Sequence, residues 1–212
     1  MNILAIGAHP DDIEFGCAGT LMKYAKSGHG IYLMVVTQGG LGGDTAIRPR
    51  EAEEAARQMG AREILWGRHR DTELPFCRTL IPSIEDAIRA VQPAFIFVHH
   101  QQDTHQDHRV LAQAAISATR YVRNVLFYEA PTTVDFRPNV FVDISDLLDR
   151  KLAVLAAHAS QLEKTNIPGL NILDIARAVA VSRGIQARTS HAEGFMSLRL
   201  FISVAEGKSV NR

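Results

Sequence analysis

The 212-residue sequence has few cysteines and no excess of charge of either sign. Cys17 and Cys77 are far apart and form no CxxC pair, which argues against a disulfide framework and makes a cytoplasmic location the default. The 23 basic and 23 acidic residues leave a formal net charge of zero, and no Lys/Arg cluster is present. Nucleic acid and an anionic membrane surface are therefore not the expected partners.

Long apolar runs are also lacking. No stretch approaches the length needed to span a bilayer, and the first residues show neither the basic segment nor the cleavage site of a signal peptide. With 46% apolar and 22% charged residues, the composition is typical of a globular protein. The length fits one domain, which we expect to cover residues 1–212.

What the sequence does contain is a regular alternation of short apolar runs and helical patterns. The apolar runs predict strands at 3–8, 31–37, 62–66, 94–98, 125–128, 140–144 and 195–204. Helices are predicted between them at 13–27, 49–59, 81–91, 109–122, 146–159 and 172–185. This alternation predicts an α/β fold, a Rossmann-like three-layer sandwich with a mostly parallel, doubly wound sheet.

Two polar clusters occupy equivalent points of this predicted fold. His9-Pro-Asp-Asp12 follows the first strand, and His105-Gln-Asp-His108 follows the fourth. In a doubly wound sheet of order 3-2-1-4-5, these two strands are neighbours, and ligands bind outside their carboxyl ends. We therefore expect the two clusters to face each other across one crevice.

The residue types favour a metal site. Imidazole and carboxylate are the usual ligands of catalytic zinc, which commonly has three protein ligands and an open position for water. Zinc lowers the pKa of bound water to about 7, a further carboxylate can take its proton, and a nearby imidazole can stabilise an oxyanion. Taken singly, Asp11 or Asp12 would be an ordinary helix cap. The presence of both clusters favours the metal, but their spacing does not assign the individual roles.

These residues carry a resemblance to a known family. The stretch Ala8-His-Pro-Asp-Asp-Ile-Glu14 resembles the AHPDD signature of the LmbE-like, or PIG-L, family of zinc-dependent deacetylases, and Thr104–Arg109 resembles its HxDH motif. Further agreement extends along the chain, in the glycine loop 39–43, Arg50 with Glu53, Asp71, Lys151 and His158-Ala-Ser-Gln161. Some members have a tyrosine shortly before the second motif, where this chain has Gln102-Asp103-Thr104.

The resemblance implies a role for each motif residue. It implies His9, Asp12 and His108 as ligands of one Zn²⁺ per chain, although such ligands would also accept another divalent metal. Asp11 corresponds to the general base, His105 to the imidazole that stabilises the oxyanion, and Asp107 to a carboxylate that orients a histidine. Implied substrate contacts are Arg50 and Asp71, which match positions holding sugar hydroxyls or phosphate, and His191.

The implied function is metal-dependent hydrolysis of an N-acetyl group on an N-acetylglucosamine-type sugar or glycoside, releasing acetate and a free amine. The partner would be a small N-acylated sugar, and family analogy adds a homo-oligomer. Two alternatives remain at this point: a metallophosphoesterase, which often uses two metals, and a non-catalytic module that binds a metal or ligand. His99 and His100 are expected to end the fourth strand rather than line the pocket, and His158 is expected to be structural.

Overall fold

A computed structural model describes residues 1–74 and 79–202 of the chain. Within these ranges, strands and helices alternate along the sequence as predicted. In chain order they are β1 (Asn2–Gly7), α1 (Asp12–Lys26), β2 (Gly30–Thr37), α2 (Arg48–Met59), β3 (Glu63–His69), α3 (Leu80–Val91), β4 (Phe95–His99), α4 (Gln106–Ala118), β5 (Val125–Tyr128), β6 (Val140–Asp143), α5 (Leu148–Ala156), a 3-10 helix (Ala159–Gln161), α6 (Ile172–Ala187) and β7 (Ala192–Arg199).

The described strands form one sheet in the order β3-β2-β1-β4-β5-β7-β6. The strands β1 to β5 pair in parallel, whereas β7 runs antiparallel to both β5 and β6. β1 and β4 pair directly, from Ile3 opposite Phe95 to Ile6 opposite Val98. The predicted order 3-2-1-4-5 and the mostly parallel sheet are confirmed, so the two polar motifs leave the same edge of neighbouring strands.

The sheet has an apolar cluster on each face, because the strand side chains alternate between them. In β1, Ile3 and Ala5 belong to one cluster, and Leu4 and Ile6 belong to the other. Helices α1, α2, α5 and α6 cover the first face, and α3 and α4 cover the second. The predicted three-layer sandwich is therefore confirmed.

Several element boundaries differ from the predictions. α4 begins within the second motif, because His105 Nδ1 accepts a hydrogen bond from Asp107 N at 3.2 Å and caps the helix. α5 ends at Ala156, so His158 follows the helix instead of lying in it. β7 begins at Ala192, earlier than predicted, because residues 192–195 pair with β6; residues 203 and 204 of that prediction lie outside the described residues.

The structure describes one of the two cysteines and the helices in which a membrane span would have to occur. Cys17 is a buried free cysteine on α1, and Cys77 lies outside the described residues, as does part of the polar segment 67–79. In the described ranges, none of the helices is both long enough and apolar enough to cross a membrane.

Candidate active site

A cavity of about 780 Å³ opens at the carboxyl ends of β1 and β4. This volume is in the usual range for a small-molecule site. The cavity brings together six of the nine predicted site residues, namely His9, Asp11, Asp12, Asp71, His105 and His108. Five of them belong to the two motifs, and Asp71 reaches the cavity with Thr72 from the loop after β3. The expectation that the two motifs face each other across one crevice is met.

The two aspartates of the first motif have different surroundings. Asp11 precedes α1 with a φ of 106°, a strained conformation for a residue other than glycine that is often found at functional sites. Its side chain is 27% exposed, and Oδ2 lies 3.4 Å from Nη2 of Arg48. Asp12 has a side chain that is 9% exposed, and its Oδ2 accepts a hydrogen bond from the backbone N of His9 at 2.7 Å. One carboxylate therefore faces the cavity, and the other faces a buried histidine cluster.

Asp12 lies between the two histidines that were predicted as ligands. Its Oδ2 is 3.3 Å from Nδ1 of His9, and its Oδ1 is 3.4 Å from Nε2 of His108. Among the described residues, three sets have ligand atoms that all lie within 4.8 Å of one another: His9 with His105 and His108, Asp12 with His99 and His108, and His9 with Asp71 and Asp107. The predicted ligands His9, Asp12 and His108 are divided between these sets. Such buried nitrogen and oxygen donors suit zinc or a similar divalent ion.

His9 and His108 each contact a further carboxylate through the ring nitrogen that faces away from Asp12. Nε2 of His9 lies 3.0 Å from Oδ1 of Asp71 and 3.2 Å from Oδ2 of Asp107. Nδ1 of His108 lies 3.1 Å from Oδ2 of Asp103. Histidines that bind metals usually have such a partner, which fixes the orientation of the ring. The contact of Asp107 agrees with its expected orienting role, whereas Asp103 was not anticipated.

The pKa values of the two aspartates shift in opposite directions. Burial raises the pKa of Asp11 to about 6, and the negative charge of Asp12 adds to this. Burial alone would also raise the pKa of Asp12, but the nearby His108 and His99 hold it well below its usual value. Opposite shifts in neighbouring carboxyl groups are typical of sites that divide acid-base work between them.

Arg48, not Arg50, is the arginine that reaches this site. Its guanidinium is buried and donates from Nη1 to the carbonyl of Gly39 at 2.8 Å and from Nη2 to the carbonyl of Pro10 at 2.7 Å. Gly39 has a φ of 66°, and a Cβ at this position would lie 2.1 Å from Nη1 of Arg48. The glycine loop therefore allows the close approach of the arginine.

The structure does not bring Arg50 to the cavity, for a geometric reason. Arg50 is exposed on α2 and does not line the cavity, because it projects from the other side of the helix. Its predicted companion Glu53 is exposed as well, whereas Glu51 accepts hydrogen bonds from N and Oγ of Ser160. Helical spacing could have identified Arg48, which shares the buried face of α2 with Ala52, Ala55 and Met59.

His191 is also not brought to the cavity. It lies just before β7, where its N donates to Oγ of Ser145 at 3.2 Å and its carbonyl accepts from N of Ile144 at 3.0 Å. These bonds hold it against the turn between β6 and α5, so the structure does not bring it to the expected pocket contact. Asp71, by contrast, is held at the cavity by N of Leu41, which donates to Oδ2 at 2.8 Å.

His99 has a larger role than ending β4. It is fully buried, its Nε2 lies 3.0 Å from Oδ2 of Asp12, and its ring stacks on His108 with centroids 3.8 Å apart. Burial, with the charge of His108, lowers the pKa of His99 to about 4, so its ring is neutral.

The other two histidines lie apart from this cluster. His100 contacts the rings of Phe127 and Phe136. His158 lies beside α1, outside the cavity lining.

Comparisons with known proteins identify the family of this chain. Residues 4–119, which include both motifs, match the family model for PIG-L, GlcNAc-PI de-N-acetylase. The chain is 36% identical over 168 residues to the uncharacterized deacetylase YaiS of Escherichia coli K12, with 75% of this chain and 91% of that protein covered. The structure of N,N'-diacetylchitobiose deacetylase from Pyrococcus horikoshii is similar with a TM-score of 0.83 and 27% identity, covering 93% of this chain and 83% of that chain.

A further structural relative shows that the fold alone does not determine the reaction. GalB, the 4-carboxy-2-hydroxymuconate hydratase from Pseudomonas putida KT2440, is similar with a TM-score of 0.79 at 22% identity, covering 97% of this chain and 99% of that chain. The family assignment rests instead on the matched range, which covers more than half of the chain, and on the identity to YaiS. The chain belongs to the PIG-L family of metal-dependent de-N-acetylases.

Proposed function

We propose that this chain is a zinc-dependent N-deacetylase that acts on N-acetylglucosamine-type sugars or glycosides and releases acetate and a free amine. The observation that carries the proposal is that two adjacent carboxylates have different contacts. Asp12 contacts both His9 and His108, whereas Asp11 faces the cavity beside Arg48. In a hydrolase whose metal is held by two histidines and a carboxylate, a second carboxylate that is not a ligand can carry the proton.

His9, Asp12 and His108 would hold the ion, one per chain. The fit is supported by their burial and by the carboxylates of Asp103 and Asp107, which contact the remaining ring nitrogens. When bound, zinc would supply Lewis acidity for the acyl carbonyl and make water easier to deprotonate. Two histidines and one carboxylate are a common ligand set for catalytic zinc, and another divalent metal would find the same donors.

Asp11 is the proton carrier in this proposal. Its carboxylate takes the proton of the attacking water as the new carbon–oxygen bond forms, and returns it to nitrogen as the carbon–nitrogen bond breaks. Arg48 limits the position of Asp11, because its guanidinium lies 3.4 Å from Oδ2 and also holds the carbonyl of Pro10. The strained φ of Asp11 is then the conformation that directs the carboxylate toward the cavity.

His105 is suited to stabilise the developing oxyanion. Its Nδ1 accepts a hydrogen bond from N of Asp107, which places the ring proton of the neutral tautomer on Nε2. Burial, with the charges of His108 and His9, lowers the pKa of His105. The ring therefore offers one N–H donor from the cavity lining, the type of group that stabilises charge on a carbonyl oxygen.

Sugar hydroxyls would be bound on the side of the cavity formed by Asp71 and Thr72, which line it beside the histidines. The choice of a sugar as the substrate class rests on this small-molecule cavity and on the family membership. The single domain over residues 1–212, the cytoplasmic location and the homo-oligomer stay predictions from the sequence.

The test is amine release from a panel of N-acetylglucosamine, its methyl glycosides and N,N'-diacetylchitobiose. We expect acetate and amine in equal amounts, loss of activity with a chelator, and recovery when zinc is restored. Metal analysis of the purified protein should give about one zinc per chain. No release from any panel member by the zinc-loaded protein would refute the proposal. A clearly higher zinc content with hydrolysis of p-nitrophenyl phosphate would favour a metallophosphoesterase instead.

A further inference from the structure

One side of the catalytic cavity is apolar. Phe15 from α1, Leu155 from α5, and Ile172 and Ile175 from α6 line it, and Ile167 lies at its rim. Phe15 and Leu155 are almost fully buried at 4% and 1% exposure, whereas Ile167 is 49% exposed. A substrate made only of sugar hydroxyls and an acetamide would leave this apolar surface in contact with water.

The apolar surface continues outside the cavity. A groove of about 340 Å³ on α6 is lined mainly by Leu170, Ile175, Ala178 and Val179, and Ile175 lines both the cavity and the groove. We call the continuous surface formed by Phe15, Leu155, Ile167, Leu170, Ile172, Ile175, Ala178 and Val179 the apolar track. Contiguous apolar surface that remains open to solvent commonly marks a ligand-binding groove.

The rim of the apolar track is held in place by hydrogen bonds. Within the loop 162–171, N of Leu170 donates to the carbonyl of Ile167 at 3.2 Å, and Oγ1 of Thr165 donates to the carbonyl of Leu170 at 2.6 Å. Lys164 Nζ donates to the carbonyl of Gly42, which joins this loop to the glycine loop across the cavity. The exposed side chains of Ile167 and Leu170 are thus presented by an ordered backbone, which lowers the entropic cost of binding.

We propose that the substrate carries an apolar aglycone, an alkyl or aryl group attached directly to the N-acetylated sugar, and that this group lies along the apolar track. The inference rests on the proposed function, because it takes the amide to lie at Asp11 and His105. With the acyl carbon there and the sugar hydroxyls beside Asp71 and Thr72, we assign the apolar part of the lining, at the rim and on α6, to the aglycone. The chain thereby selects amphiphilic N-acetylglucosaminides over fully polar ones.

The first test compares the methyl, butyl and hexyl glycosides of N-acetylglucosamine, each below the concentration at which it forms micelles. A fully buried methylene group strengthens binding about fourfold. Because the apolar track is open on one side, we expect about a twofold rise in kcat/KM per methylene, or about thirtyfold from methyl to hexyl. Binding energy from such a remote group appears in kcat/KM.

The second test uses variants on and off the apolar track. Ile167→Ser and Ile175→Thr should lower the ratio of kcat/KM for hexyl over methyl glycoside severalfold. Val181→Ser is the matched control, since Val181 is 39% exposed on α6 but lines neither the cavity nor the groove. It should leave the ratio unchanged.

Three results would overturn the inference. One is equal kcat/KM for the methyl and hexyl glycosides. Another is a gain with a longer N-acyl chain on the methyl glycoside rather than with a longer aglycone. The third is a change in the solution mass of the protein on Ile175→Thr, which would assign the surface to a contact between copies of the chain. If no glycoside is cleaved at all, the proposed function itself fails, so the two failures are distinguishable.

Discussion

Replacing Arg48 by alanine should damage both the stability and the activity of the protein. Its buried guanidinium makes hydrogen bonds with the carbonyls of Gly39 and Pro10 at 2.8 and 2.7 Å and lies 3.4 Å from Oδ2 of Asp11. The substitution leaves two carbonyl groups without these partners and removes the only described cationic neighbour within 4.0 Å of the Asp11 carboxylate.

The size of the effect follows from these contacts. A hydrogen bond to a charged group contributes about 1.5–3 kcal/mol, so two bonds give about 3–6 kcal/mol. Water from the adjacent cavity can reach the freed carbonyls, which places the expected loss near the lower end, at about 3 kcal/mol. For a chain of this length, that corresponds to a fall in Tm of about 6–12 °C.

The assay combines urea unfolding with amine release, and Arg50→Ala is the matched control. Arg50 belongs to the same helix and is exposed, so its substitution should change the free energy of unfolding by less than about 0.5 kcal/mol and leave activity near the wild-type level. Equal effects of the two substitutions, or a larger effect of Arg50→Ala, would refute the placement of Arg48.

Three further predictions concern other contacts. Lys151→Met should lower the free energy of unfolding in urea by about 3 kcal/mol or more. Nζ of Lys151 lies 2.6 Å from Oε1 of Glu193, and this carboxylate would remain buried without its cation. A loss below about 1 kcal/mol would contradict this prediction. Gly16→Ala should lower Tm by several degrees, since a Cβ would lie 2.2 Å from the ring of Tyr128. An unchanged Tm would count against that packing. Asp103→Asn should weaken zinc binding about 10- to 100-fold in a competition titration, because His108 loses its carboxylate partner, and unchanged affinity would exclude this orienting role.

The fold could be predicted from the sequence because its signals are local. Apolar runs such as 3–8 and 94–98 are buried on both faces of a parallel sheet and are therefore nearly continuous in sequence. The strand order then follows from the doubly wound pattern, and it brings His9–Asp12 and His105–His108 to one cavity. The cluster of histidines and aspartates could be predicted from the sequence because both motifs directly follow neighbouring strands.

The residues that surround the cluster were harder to predict, because their roles depend on the direction of a side chain in the folded protein. Arg48 and Arg50 are two residues apart, and only the face of α2 distinguishes them. His99 looked like a strand end, although the pleat directs its ring onto Asp12 and His108. Asp103 reaches His108 from a loop, and His191 is turned away by bonds to Ser145 and Ile144. Only Arg48 could have been identified from its spacing, which places it on the buried face of α2. The contacts of His99, Asp103 and His191 correspond to no motif or spacing in the sequence.

Asp11 and Asp12 are assigned different functions, one in proton transfer and the other in metal binding, and a paired measurement separates the two. Zinc content per chain and turnover of N-acetylglucosamine glycosides are measured for Asp11→Asn and Asp12→Asn. Asparagine tolerates the positive φ of Asp11, so the backbone is preserved. Asp11→Asn should keep about one zinc per chain and lose at least about a hundredfold in kcat, because proton transfer is removed. Asp12→Asn should lose the zinc. An Asp11→Asn variant that is metal-free, or that is fully active, would contradict this assignment of the two aspartates.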